Sequence, residues 1–262
     1  MSGLETLTWI VDDSNAGVAR ALAEHARRPT PVPPDQLRLW RAGGLRLVAI
    51  PAAELESLRS SLALIGPQQQ RWNAELSRWT PILAGPAWST DRELSIATGP
   101  EFRGREPIPL TPGRLRLLAR AYALPTIVND SLASRLTIEI IPQHEEPDGS
   151  ARALTRQLRG VGDAQQRGLL FRQLSLAFVA APDECYIITA EAPDLDWTPD
   201  TERSNDAPGP EMTRERSLDG ASAAPTLGEA MLTDINAEGT LRARVLLVLV
   251  PKVSATYTLT GR

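Results

Sequence analysis

Apolar positions change their period near residue 90, and that change organises the chain. Leu7, Trp9 and Val11 alternate with Thr6, Thr8 and Ile10, the period of two expected of a short strand. Val18, Leu22 and Ala26 then recur on one stripe of a helix predicted over 16–27. Pro29, Pro31, Pro33 and Pro34 force extended backbone. Pro34 suits the first turn of a helix that runs through Trp40 and stops at Gly43 and Gly44. Leu45 to Ile50 reads as a strand, and Pro51 opens a helix from Ala52 to about Leu64 with Leu55, Leu58, Leu62 and Ile65 on its buried face. The order predicted to this point is β-α-α-β-α. Residues 68–83 fit both periods: Trp72, Leu76, Trp79 and Leu83 suit a helix, while Trp72, Ala74 and Leu76 suit a strand.

From about residue 92 the alternation is strand-like. Leu94 and Ile96 make a short strand, and Pro107, Pro109 and Pro112 push the next one to a sheet edge, because proline cannot donate to a ladder. Leu115, Leu117, Ala119, Ala121 and Ala123 alternate with Arg114, Arg116, Arg120 and Tyr122. Leu136, Ile138 and Ile140 alternate with Arg135, Thr137 and Glu139, and the two segments read as an antiparallel pair with one buried face each. Strands over 168–180 and 185–190 flank Ala181-Pro182-Asp183-Glu184, which fits a hairpin connection. Leu241 to Val250 is apolar on both faces after Arg244, so it belongs at the centre of a sheet covered from both sides. Tyr257 to Leu259 is a candidate last strand. Together these patterns predict an α+β protein: a small mixed α/β unit at 1–90 and a predominantly antiparallel β-rich domain at 91–262.

Composition adds one correction to this picture. The chain of 262 residues carries 28 basic and 32 acidic side chains, a net charge of −4, which disfavours a general polyanion-binding role. The acidity is local: residues 193–220 hold eight acids and three arginines, a net of −5, leaving 25 basic against 24 acidic elsewhere. Residues 191–224, rich in Pro, Asp, Ser and Gly, are expected to be a solvated, mobile acidic insertion. Apolar runs such as Val245 to Val250 are far shorter than the roughly 20 residues of a membrane helix, so no membrane span is expected. Met1 to Ile10 lacks a basic start and a continuous apolar stretch, which places the chain in the cytoplasm by default and in the cell envelope if its natural start lies upstream.

Candidate chemistry is sparse. Cys185 is the sole cysteine, which excludes an internal disulfide and a cysteine metal cluster, and the adjacent Asp183 and Glu184 work against a lowered thiol pKa. No glycine-rich phosphate loop and no Gly-x-Ser-x-Gly elbow occurs, so no cofactor is expected. Asp13 or Ser14 suits a helix cap. With two histidines in the chain, His144 beside Glu145 and Glu146 is the one arrangement that offers a general base, and it defines a hydrolase alternative. Read blandly, Gln143-His144-Glu145-Glu146 is a polar turn at a strand end. Arg114, Arg116, Arg120 and Arg135, joined by Arg242 and Arg244, line a basic sheet face and are the candidate binding residues. A nucleic-acid platform needs aromatics among them, and Tyr122 alone qualifies, so nucleic acid is not the expected partner. Cross-strand pairing with Glu139 is the ordinary alternative for these arginines.

The stretch Pro225-Thr226-Leu227-Gly228-Glu229-Ala230-Met231-Leu232, followed by Val245 to Val250 and Pro251, resembles the closing segment of bacterial secretins: a Leu-Gly motif in a lip-like loop, then an apolar strand ending in proline. With Gly44 to Val48 added, the chain also resembles a group of bacterial proteins without an assigned activity. The resemblance implies a related β-domain or accessory component rather than a complete barrel, which would need many more membrane-length strands. The expectation is a non-catalytic binding or assembly component with a protein partner or a second copy of itself.

Overall fold

The computed structural model describes residues 2–13, 17–74, 76–98, 104–128, 131–147, 168–191, 197, 224–235 and 241–253. It is predominantly antiparallel, with few helices. The acidic stretch, apart from Glu191, Trp197 and Ala224, and the candidate strand Tyr257 to Leu259 lie outside the described residues.

Sheet A has six strands among the described residues. β2 (Leu45–Pro51), β11 (Glu184–Ala190), β13 (Leu241–Lys252), β1 (Gly3–Asp12) and β3 (Gln69–Ala74) lie in that order, and β12 (Thr233–Ile235) also pairs with β13. Sheet B has β10 (Leu176–Val179), β8 (Ser131–Glu145), β7 (Gly113–Val128) and β4 (Leu76–Trp88) in that order, with β9 (Gly168–Leu170) added on β8. β5 (Arg92–Thr98) and β6 (Gly104–Leu110) form a separate two-stranded ribbon, so the proline-bearing β6 does lie at an edge.

β13 has the central place that its two-sided apolar pattern predicts. Leu247 and Leu249 face sheet B and pack with Leu4, Leu47, Tyr186 and Ile188 against Leu117, Ala119, Ile138 and Ile140. Leu246 and Val248 face the other way, joining Trp9, Val48, Ile50 and Ile187 beneath Val18, Leu22 and Leu58 of the helical layer. The helices that carry Val18, Leu22 and Leu58 thus cover one face of sheet A and sheet B covers the other, while Trp40, Leu227, Met231 and Leu232 from two further helical segments join the core between the sheets. Burying both faces of β13 is worth about 1.5–3 kcal/mol per large aliphatic side chain.

Two of the three N-terminal helices are shorter than their patterns predict. α1 (Gly17–Leu22) ends early and gives way to a 3-10 turn at His25–Arg27. α2 (Pro34–Ala42) carries its proline in the first turn as expected. α3 (Leu55–Ser61) buries Leu58, but Ile65, the last position of the predicted stripe, is 41% exposed. By that point the backbone is extended, because Ile65 N–H donates to Ile10 O at 2.8 Å and Leu64 bridges Val11 on β1.

Strand pairing crosses residue 90 and corrects one further expectation. β1 and β2 pair with β13 and β11, while β4, also before residue 90, pairs with β7. Residues 68–83, open between helix and strand, become β3 and β4 because edges of both sheets are there to pair with them. The 181–184 link is not a hairpin. β10 pairs with β8 and β11 with β2 and β13, so the link carries the chain from sheet B to sheet A. Asp183 takes φ 60° there, and the Tyr186 hydroxyl accepts from Ala181 N–H at 2.8 Å.

A tight backbone junction closes the far end of sheet A. α4 (Leu227–Leu232) starts with a capping box between Thr226 and Glu229. Gly228 N–H donates to Gly43 O at 3.0 Å, and Glu191 N–H donates to Gly44 O at 2.7 Å. No side chain fits at this contact: a Cβ on Gly228 would lie 1.6 Å from Gly44 O, and Gly44 itself has φ +78°.

Candidate functional site

β7 and β8 place the sequence-derived candidates. Odd-numbered residues of β7 up to Ala121 face the core, which turns Arg114, Arg116, Arg120 and Tyr122 outward. The register sets Arg114 opposite Glu145, Arg116 opposite Gln143, Arg120 opposite Glu139 and Leu124 opposite Arg135. Three of the four candidate arginines are therefore held by cross-strand partners. Arg114 Nε donates to Glu145 Oε2 at 2.6 Å; Arg116 donates through Nε to Gln143 Oε1 at 2.7 Å and through Nη1 to Glu145 Oε1 at 2.6 Å. Arg120 Nε meets Glu139 Oε2 at 2.6 Å, and the Tyr122 hydroxyl donates to Glu139 Oε1 at 2.8 Å. Burial pushes the Glu139 carboxyl up, but these two hydrogen bonds outweigh it and leave the group below its ordinary range. Arg135 is exposed and has no hydrogen bond or ion pair among the described residues.

His144 and Glu145 are not brought together. The strand continues through Glu145, so Gln143-His144-Glu145 is ladder rather than a strand-end turn, and neighbours on a strand point to opposite faces. Glu145 turns outward to its arginines. The His144 ring turns inward, 2% exposed, and stacks on Trp88 with centroids 5.5 Å apart and planes 13° from parallel. Its Nε2 has no hydrogen-bond partner among the described residues, and a Cβ on Gly113 would lie only 2.5 Å from that atom. Burial lowers the His144 pKa; the Glu146 carboxylate and the Thr111 backbone oppose that shift without cancelling it. A neutral imidazole is the consequence at physiological pH.

Several polar contacts were not foreseen from the sequence. Arg244 Nε pairs with Asp13 Oδ2 at 2.5 Å, with both side chains buried, while the other Asp13 oxygen accepts from Val18 N–H at 2.9 Å and so supplies the expected cap. The visible signal was an arginine entering an otherwise apolar strand. Arg46 pairs with both Glu191 oxygens at 2.8–2.9 Å and lies 4.0 Å from the Trp197 ring centroid. Trp79 stands beside Arg120, whose guanidinium carbon lies 5.1 Å from its ring centroid. That contact depends on β4 pairing with β7, which the ambiguous period of 68–83 concealed.

Other chemistry is limited. Cys185 is buried, and burial pushes its thiol up to about 11, as suits a core residue. No group of three His, Cys, Asp or Glu among the described residues is placed to hold a metal ion. His25 and Glu54, 3.7 Å apart, border a shallow open depression of about 190 Å³ between α1 and α3. No helix among the described residues is long and apolar enough to cross a membrane. Compared with protein-family models, with curated proteins and with solved structures, the chain matches none.

Proposed function

We propose that this chain is a non-catalytic binding or assembly component and, from the likeness of its C-terminal stretch to the secretin closing segment, that it serves a bacterial envelope complex. One observation carries the binding role. On the outer face of sheet B the buried and half-buried charges are taken up by Arg116–Glu145 and Arg120–Glu139, while Leu124 and Val179 on the same face remain 47% and 42% exposed. Paired charges beside open aliphatic surface suit contact with another chain better than proton transfer.

Native mass spectrometry with size-exclusion of the full chain tests the proposal. The expected result is a mass above the monomer, or a stoichiometric protein that co-purifies, lost in Leu124→Glu and Val179→Glu. A strict monomer without a partner overturns it. If such a monomer also hydrolyses a p-nitrophenyl ester, and His144→Gln abolishes that turnover, the hydrolase alternative takes its place.

A further inference from the structure

We infer that the half of the sheet B outer face around Arg135 docks an acidic peptide segment bearing aliphatic side chains. The inference rests on the binding role above and names its partner's chemistry. The strand registers define the surface: Val179, Thr137 and Tyr122 form one row across β10, β8 and β7. Ala177, Glu139 and Arg120 form the next row, extended onto β4 by Trp79. Beyond the first row, Arg135 and Leu124 stand opposite each other.

Neighbours in such rows are about 5 Å apart and rows on one face about 7 Å apart, so these side chains are contiguous. Arg135 is thus an exposed guanidinium without a partner among the described residues, set between two exposed aliphatics, Leu124 and Val179. Arg120 is held in place by Glu139 and flanked by aromatics, with ring centroids 5.1 Å away at Trp79 and 5.9 Å at Tyr122. The Arg120–Glu139 pair leaves the floor of the surface uncharged overall.

Charge selects the occupant. The open cation is matched by a carboxylate, which a guanidinium binds bidentately, and the flanking aliphatics are matched by a Leu-type side chain next to it. A second copy laid face to face would bring the same open guanidinium and, in Glu139, a carboxylate already taken by Arg120 and Tyr122. Nucleic acid would set phosphates over Glu139 on a chain of net charge −4.

Fluorescence anisotropy on the full chain decides the matter, with a labelled peptide of about ten residues alternating Glu and Leu as the probe. The Glu/Leu peptide is expected to bind, with Kd rising about tenfold or more in Arg135→Glu and between about 0.05 and about 0.5 M salt. Arg135→Ala is expected to give a smaller loss, and Leu124→Ser and Val179→Ser about three- to tenfold each. Matching circular dichroism and Tm show that the variants remain folded.

Equal binding of the Gln/Leu or Lys/Leu counterpart overturns the inference. So does indifference to Arg135→Glu, or Arg135-dependent binding of an oligothymidylate of about 20 nucleotides. If the chain assembles in the native mass measurement but ignores the Glu/Leu peptide, this inference fails and the binding role stands. A partnerless monomer that also ignores the peptide removes both.

Discussion

Arg244 and Asp13 meet at 2.5 Å with neither side chain more than 1% exposed, joining the central strand of sheet A to the start of α1. Arg244 also donates to Ala190 O at 3.0 Å on β11, so one guanidinium ties three segments. Removing one partner leaves the other buried and uncompensated. Arg244→Met is expected to cost about 3–5 kcal/mol in urea unfolding. Asp13→Asn keeps a side-chain oxygen to cap α1, and the double variant Asp13→Asn/Arg244→Met should recover about 1–3 kcal/mol relative to additive losses. Strict additivity would show that the pair is not energetically coupled.

His144 makes stability depend on pH. Burial holds its folded pKa below the ordinary 6.5, so the unfolded chain takes up the proton first as pH falls. The contribution is complete above about pH 6.5 and is lost as pH drops from there through the lowered folded value. Thermal melts between pH about 7.5 and about 5 should therefore show a steeper loss of Tm in the wild type than in His144→Phe, which keeps a ring against Trp88. Equal slopes would remove His144 as the titrating group.

The glycine junction behind α4 is sterically closed. Gly228→Ala would drive a Cβ to 1.6 Å from Gly44 O, and Gly44→Ala would meet Thr226 Oγ1 at 2.0 Å while also holding φ +78°. Each substitution is expected to cost at least about 2 kcal/mol, since backbone rather than a flexible side-chain end must shift in the first case and strain adds to the clash in the second. Loss of less than about 0.5 kcal/mol in either variant would show that the junction relaxes freely.

The long connection between β11 and α4 leaves and returns at one dipeptide. Glu191 N–H and Gly228 N–H donate to the consecutive carbonyls of Gly44 and Gly43, so the anchoring does not require the residues between. Loop-closure cost changes by only about 0.6 kcal/mol per doubling of length. Replacing residues 198–220 with a short Gly/Ser linker should leave circular dichroism unchanged and move Tm by no more than about 2 °C. A large drop in Tm would identify the acidic stretch as structural.

Much of this protein could be read from periodicity. A period of two with Leu136, Ile138 and Ile140 on one side specifies both the strand and its buried face, whatever it pairs with. The unbroken apolar run at Val245 to Val250 likewise specified a central strand, because two apolar faces need two covering layers. Pro34 and the Gly43-Gly44 pair bounded α2 through backbone constraints that act within a few residues.

What could not be read there is set by contacts between distant segments. Residues 68–83 carry a local pattern that suits either period, and the free edges of β1 and β7 made them strands. The 181–184 link looks like a hairpin until the pairing of β10 with β8 pulls its two flanks into different sheets. At the site, the sequence by itself determined that Arg114, Arg116, Arg120 and Arg135 lie on the sides of their strands away from Leu115, Leu117, Leu136 and Ile138. Only the tertiary structure decided that Glu145 and Glu139 hold those arginines, that Trp88 covers His144, and that Arg135 stays open. A side chain's face follows from its own backbone, whereas its partner follows from which strand packs beside it.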